Sequence, residues 1–273
     1  MLVLIRGGGD LASGVALRLH RVGLEVLIAE LPQPLVVRRL VSFAEAVYRD
    51  QFTVEGVTAQ LVQNVEGIQS ALDSGKIPVI VDPDAALLKS PILWGGLEPK
   101  IVIDARMNKR PPGLSISAAD FIVGLGPGFI PGENCHAAIE TNRGHHLGRV
   151  LWTGSPQSDT GIPEAVARRQ ADRVLRSPAD GILVAYAEIC DQIQSRQIIA
   201  EVSNQSVRAP FKGVLRGLLH PGLRVVRGLK IGDLDPRNDP RYCTLVSDKS
   251  LAVGGGVLEA ILSRSELRPH LWT

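Results

Sequence analysis

The chain has 273 residues, 45% of them hydrophobic and 21% charged, which is the composition of a globular protein able to bury the core of one large or two modest domains. A net charge of +2 is too mild to argue for nucleic acid or a membrane surface as partner. Three widely spaced cysteines without a CxxC pair argue against a disulfide framework and a zinc ribbon.

The opening MLVLIRGGGD meets a glycine turn too early for a signal peptide, and no stretch approaches the ~20 apolar residues of a membrane span. A cytoplasmic location is the expectation. Leu2–Ile5 is a continuous apolar run, as in a strand buried on both faces of a parallel sheet. Gly7-Gly8-Gly9 breaks it, and Asp10 opens a helix carrying Leu11, Val15, Leu19 and Val22 at helical spacing. Gly23 ends that helix, Leu24–Ala29 is a second strand, and Glu30 closes it.

This order matches the dinucleotide fingerprint with alanine in its third place, Gly7-x-Gly9-x-x-Ala12. Gly7 permits the turn, Gly9 lets the backbone approach a phosphate, and Ala12 allows close helix–strand packing. Glu30 stands near the offset of an acid that holds a ribose hydroxyl. The competing reading is a turn of the same shape without a ligand, which Asp10 favours, since a carboxylate beside a pyrophosphate repels unless it turns away. Arg38 and Arg39 read either as holders of a 2′-phosphate or another anion, or as a solvated helix face.

Three more buried strands follow. Ile77–Val81 ends at Asp82, Lys100–Ile103 ends at Asp104, and Phe121–Val123 runs into Gly124-Leu125-Gly126-Pro127-Gly128-Phe129. Ligands of open α/β sheets bind at strand carboxyl ends, so these groups converge with Gly7–Gly9 on one rim, although each Asp alone reads as a turn former. Residues 126–161 are rich in glycine and functional side chains. His136 and Glu140 share a face if a helix runs there, Gly144 reads as its C-cap, and Arg143 lies close by. His136, Glu140 and Arg143 are candidates for acid–base chemistry or anion binding. A metal site is a weaker reading for want of specific spacing, and a hydrogen-bonded connecting loop is the plain one. With no activating base fixed by the sequence, Cys135 reads as a buried structural thiol, a catalytic thiol being the alternative.

Residues 176–202 and 208–234 repeat one another with a period of about 32 residues: Ser177-Pro178-x-x-Gly181 aligns with Ala209-Pro210-x-x-Gly213. The repeat resembles the biotinyl/lipoyl domain family, two half-motifs in a barrel-sandwich hybrid. That resemblance places the modifiable lysine on the hairpin between the halves. The hairpin here is Ser203-Asn204-Gln205-Ser206, and Lys212 is misplaced, so neither biotin nor lipoate is expected and a scaffold or docking role fits better. Beyond it, Gly254-Gly255-Gly256 reads as the opening of a terminal helix suited to anion contact, with Lys249 facing the cleft of the first domain; the equal alternative is a terminal helix that covers exposed core behind a glycine-rich hinge. The boundaries expected are a Rossmann-like α/β domain over 1–150, a connecting segment over 151–175, the β module over 176–240, and a C-terminal segment with a helix over 241–273.

Several motifs taken together resemble one family. They are residues 7–14 (GGGDLASG), 30–34 (ELPQP) with Arg38-Arg39, 41–48 (VSFAEAVY), 124–129 (GLGPGF), 139–145 (IETNRGH), 231–237 (IGDLDPR), and 247–249 (SDK) with 254–262. They are similar to the YqeB-type accessory proteins of selenium-dependent molybdenum hydroxylase systems. The resemblance implies a maturation factor whose partners are a molybdenum hydroxylase or its cofactor-maturation proteins. Joined to the fingerprint and strand-end residues above, it gives a working hypothesis in which Gly7, Gly9, Ala12, Glu30, Gly126, Gly128 and Lys249 surround a nucleotide or phosphate-bearing cofactor, NAD(P) among the candidates. The alternatives are an NAD(P)-dependent oxidoreductase, with His136 or Glu140 essential, and a docking protein without a ligand.

Overall fold

Apolar runs too continuous for a half-exposed strand become the interior of a parallel sheet. The computed structural model describes residues 1–89, 99–107, 113–158 and 171–272. These form two compact units: residues 1–34, 43–159 and 246–273 make the first, and 35–42 with 160–245 the second. The division places residues 35–42 and 241–245 with the β module and the C-terminal helix with the α/β unit, where the sequence reading drew contiguous boundaries. Residues 159–170 of the expected connecting segment lie outside the described residues.

The first unit opens with β1 (Leu2–Arg6), α1 (Asp10–Arg21) and β2 (Glu25–Glu30). Next come α2 (Ala46–Arg49), β3 (Gln51–Val54), β4 (Val57–Val62), α3 (Val65–Asp73) and β5 (Ile77–Val81). It continues with β6 (Ile101–Asp104), β7 (Phe121–Leu125), β8 (Ala137–Ile139) and β9 (Val150–Leu151), and closes with α4 (Asp248–Leu262). The sheet order is β3-β4-β5-β2-β1-β6-β7-β8-β9. The strands from β4 to β8 pair in parallel, while β3 and β9 are antiparallel edges. β1 is buried along its whole length, as its unbroken apolarity requires.

α1 buries Ala12, Val15, Ala16 and Leu19 and packs against α4. Glycines let the two helices approach: a Cβ on Gly14 would lie 2.6 Å from Ser250 Cβ, and one on Gly254 would lie 2.8 Å from the Gly14 carbonyl oxygen. The reading of Gly254–Gly256 as a helix start is therefore corrected. α4 begins six residues earlier, where the Ser247 hydroxyl accepts the Ser250 N–H, and the glycines sit mid-helix as contact points. No helix among the described residues is long and apolar enough to cross a membrane.

The second unit holds β10 (Val174–Arg176), β11 (Gly181–Ala185), β12 (Gln192–Ile193), β13 (Ile198–Val202), β14 (Gln205–Arg208), β15 (Gly213–Leu218), β16 (Arg224–Val225) and β17 (Lys230–Asp235). They form two four-stranded antiparallel sheets, β10-β17-β15-β12 and β14-β13-β11-β16. The sequence repeat explains both. Replacing each strand by its counterpart four places along turns one sheet order into the other, so each sheet draws two strands from each half. The halves join at Ser203-Asn204, whose φ values of 48° and 59° suit a tight type I′ hairpin. Arg38 is buried, and its Nη2 donates to the carbonyls of Tyr242 (3.1 Å) and Leu245 (2.9 Å), while Arg39 Nε donates to Leu218 O at 2.7 Å. Both guanidiniums tie residues 35–42 into this unit and do not form a solvated helix face.

Candidate functional site

Because β4 through β8 run parallel, their carboxyl ends share one rim. On it stand Arg6, Gly7–Gly9, Glu30, Asp82, Asp104, Arg106, Gly126 and Glu140. The strand order reverses between β1 and β6, since β1 leads to β2 on one side and β6 to β7 on the other. Such a reversal opens a crevice where the two connections diverge. The turn after β1 and the turn after β6 meet there: a Cβ on Gly7 (φ 92°) would lie 3.3 Å from Arg106 Cα.

The rim is charged at this point. Arg6 Nη1 donates to Asp104 Oδ2 at 2.9 Å, with both side chains almost wholly buried. Arg106 grips the same carboxylate through Nε (2.9 Å) and Nη2 (2.7 Å), a two-pronged pair on the outer side. Burial pulls the Arg6 guanidinium below its ordinary pKa and Asp104 opposes that pull, but an arginine stays charged under any ordinary condition. The trio sets two guanidiniums on one carboxylate beside the glycine loop, and the Asp82 and Asp84 carboxylates also act on Arg6.

Gly9 is the N-cap of α1 with no side-chain cap. Asp10 turns toward α4, where its carboxylate accepts the Ser250 hydroxyl at 2.8 Å. Glu30 reaches back to the loop, and its carboxylate accepts the N–H groups of Gly8 (2.6 Å) and Leu31 (2.7 Å). Burial lifts its pKa, against the pull of those two N–H groups. The Gly8 carbonyl accepts from Ala44 N–H (2.9 Å) and the Ser13 hydroxyl (3.1 Å). Residues 43–45 thus pack against Gly8, while Gly9, Asp10 and Leu11 keep partial exposure.

On the neighbouring side, Gly126 (φ 77°) faces Thr141: a Cβ there would lie 2.7 Å from Thr141 Oγ1. Gly128 (φ 96°) has open space around it. Lys249 lies in the first turn of α4, next to the Ser250 that holds Asp10. Ala12 is buried in α1.

The structure does not bring His136, Glu140 and Arg143 together. The helix that would put the first two on one face is instead β8, because Ala137–Ile139 pairs between β7 and β9 and tertiary pairing overrides alanine's helical preference. His136 precedes the strand and Glu140 follows it, so the two stand about 13 Å apart at opposite rims. His136 Nδ1 accepts the Ile122 N–H at 2.9 Å, which leaves the proton on Nε2, and burial with Arg264 nearby lowers its pKa. Glu140 is buried, and its carboxylate accepts the N–H groups of Asn142 (2.6 Å) and Gln157 (2.7 Å), fastening the loop beyond β8. Arg143 pairs with Asp248 through both terminal nitrogens, at 2.5 and 2.7 Å.

Among the described residues no group of three or more His, Cys, Asp or Glu side chains is arranged to hold a metal ion. Sequence reasoning passed over Arg6 and Arg106. The available signal was a charged residue ending an otherwise apolar strand directly before the glycine loop.

No family model matches the chain. It is 45% identical over 261 residues to "Uncharacterized protein YqeB" of Escherichia coli K12, covering 96% of this chain and 47% of that protein. The chain therefore spans about half the length of that relative. Among solved structures it overlaps an aspartoacylase family protein of Mesorhizobium loti at 8% identity (85% of this chain, 83% of that one, TM-score 0.27). It also overlaps the ectoine utilization protein EutE (DoeB) of Ruegeria pomeroyi at 11% identity (85% of each chain, TM-score 0.25). A succinylglutamate desuccinylase of Silicibacter sp. overlaps at 14% identity (85% and 84%, TM-score 0.26). Overlaps this loose carry no argument about chemistry.

Proposed function

We propose that the chain is an accessory factor in the maturation of selenium-dependent molybdenum hydroxylases and holds a phosphate-bearing nucleotide at the β1/β6 crevice. One observation carries the nucleotide part: the sheet order reverses where the Gly7–Gly9 loop, the N-terminus of α1 and the Arg6–Asp104–Arg106 trio meet. Backbone N–H groups at a helix start and a nearby guanidinium are what a phosphate needs. Gly7, Gly9 and Ala12 shape the loop, and Gly126 and Gly128 border it. Glu30 braces the loop and has further lone pairs for a ribose hydroxyl. The maturation part rests on the motif resemblance and on the likeness to YqeB. The second unit, read as a barrel-sandwich hybrid without the carrier lysine, serves as a surface for the hydroxylase or for its cofactor-maturation proteins.

A docking protein without a ligand is the second reading, favoured by Glu30 holding the Gly8 N–H and by Ala44 against Gly8. The oxidoreductase reading predicts loss of turnover on changing His136 or Glu140, and only Glu140 stands on the rim of strand carboxyl ends, with its carboxylate holding two loop N–H groups. The test is native mass spectrometry of the full chain titrated with NAD(H), NADP(H), ATP, CTP and molybdopterin dinucleotides, beside Gly9→Asp and Arg106→Glu. Binding of one ligand that both variants lose supports the crevice. A wild-type chain that binds none refutes the nucleotide reading and leaves docking in front.

A further inference from the structure

The second unit contains a pair of thiols that the crevice does not use. Cys190 ends the turn after β11, and Cys243 ends the 3-10 turn Pro240–Cys243. Both converge on one carbonyl in the middle of β15: the Cys190 N–H donates to Leu215 O at 2.9 Å, and the Cys243 thiol donates to the same oxygen at 3.7 Å. The Cys190 side chain also lies within electrostatic reach of the Cys243 sulfur. Their exposure differs, since Cys243 is fully buried and Cys190 is partly open to solvent.

The backbone at Cys190 has φ 86°, a region that side-chain-bearing residues enter only where the surroundings impose it. Here the Leu215 carbonyl and the Asp191 carboxylate, which accepts the Glu188 N–H at 2.8 Å, impose it. On the other side, Arg38 holds the 3-10 turn through the Tyr242 carbonyl. Arg38 and Arg216 also lie within electrostatic reach of the Cys243 sulfur and favour its thiolate, against burial that pushes this thiol up to about 12.

We propose that Cys190 and Cys243 form a reversible dithiol–disulfide couple, with Cys190 as the entry thiol and Cys243 as the resolving one. The oxidant is a small disulfide of the glutathione class. The Cys190 thiolate attacks one sulfur of that disulfide; its S–S bond breaks, one small thiol leaves, and Cys190 carries the other half as a mixed disulfide. The Cys243 thiolate then attacks the Cys190 sulfur and expels the second small thiol. Two protein thiols are oxidised and one small disulfide is reduced to two thiols, so atoms and electrons balance. Under a reducing poise the couple returns to the dithiol, which makes it redox-responsive and not a permanent staple. When closed, it ties the 3-10 turn to the turn after β11.

The experiment treats the reduced full chain with oxidised glutathione, then reads the intact mass and an alkylated peptide map. The expected result is loss of two hydrogens, a single linkage between the peptides of Cys190 and Cys243, and full reversal by dithiothreitol. Cys243→Ser should stop at a glutathione adduct on Cys190, and Cys190→Ser should not react. Cys135 is the internal control, since it is buried and belongs to the first unit, while both members of the couple belong to the second. A stable adduct on wild-type Cys190, a linkage between two chains, or no reaction would overturn the proposal. The wild-type map decides this even if Cys243→Ser does not fold.

Discussion

Replacing each of Gly254, Gly255 and Gly256 by alanine should give three different answers. Inside an exposed helix the change from glycine to alanine stabilises by about 1 kcal/mol through the lower backbone entropy of the unfolded chain. At Gly255 nothing lies within 4 Å of the added methyl, so Gly255→Ala should gain about that amount. At Gly254 the methyl would lie 2.8 Å from the Gly14 carbonyl oxygen and 2.9 Å from Arg18 Cγ. The side chain can yield but the carbonyl cannot without moving α1. An overpacking cost of about 1–3 kcal/mol should cancel the gain or reverse it. At Gly256 the methyl would overlap the Gly148 carbonyl oxygen outright, so a net loss of about 2 kcal/mol or more follows from the same cost.

Urea unfolding followed by tryptophan fluorescence reads this directly, because the second unit contains no tryptophan. The midpoint should rise for Gly255→Ala and fall most for Gly256→Ala at unchanged slope. Equal shifts in all three variants, or stabilisation by Gly256→Ala, would show that α4 is not seated by these close approaches.

Asp104→Ala leaves Arg6 buried without its carboxylate and should cost about 3–5 kcal/mol, read as a lowered urea midpoint; a loss under 1 kcal/mol would show the trio to be solvated. Glu30 carries a raised pKa, so between its unfolded and folded values the native state binds more protons and stability falls as pH rises. Glu30→Gln should flatten that stretch of the midpoint-against-pH curve, and an unchanged curve would refute the burial of the carboxylate. The Arg143–Asp248 pair is largely exposed, with side-chain exposures of 32% and 74%. Arg143→Ala should therefore cost below about 1 kcal/mol and, if the crevice binds a nucleotide, leave that affinity unchanged in the native titration.

The β1–α1–β2 unit was legible because burial on both faces of a strand leaves an unbroken apolar run, and glycine marks where the chain turns. The β module was legible because its two sheets are built from one repeated pattern. His136 and Glu140 were harder, since a spacing of four puts residues on one face in a helix and in a strand alike. Only the pairing of β8 with β7 decides between them. The Arg6–Asp104 pair joins residues 98 apart, and each alone looks like an ordinary strand end. The glycine run in α4 resembles an anion loop until the neighbouring helix is known, because what it accommodates is the backbone of α1 and of Gly148.

The closing position of α4 has a bearing on how the chain is made. The first unit begins at residue 1, yet the helix that covers α1 and contributes Ser250 to Asp10 is not complete until residue 262. During synthesis the whole β module leaves the ribosome before that helix does. The seam of α1 around Gly14 therefore stays uncovered while the second unit is free to fold. A chain halted at residue 245 would present a finished module attached to an open sheet domain, with the N-terminus of α1 and its glycine loop lacking their last neighbour.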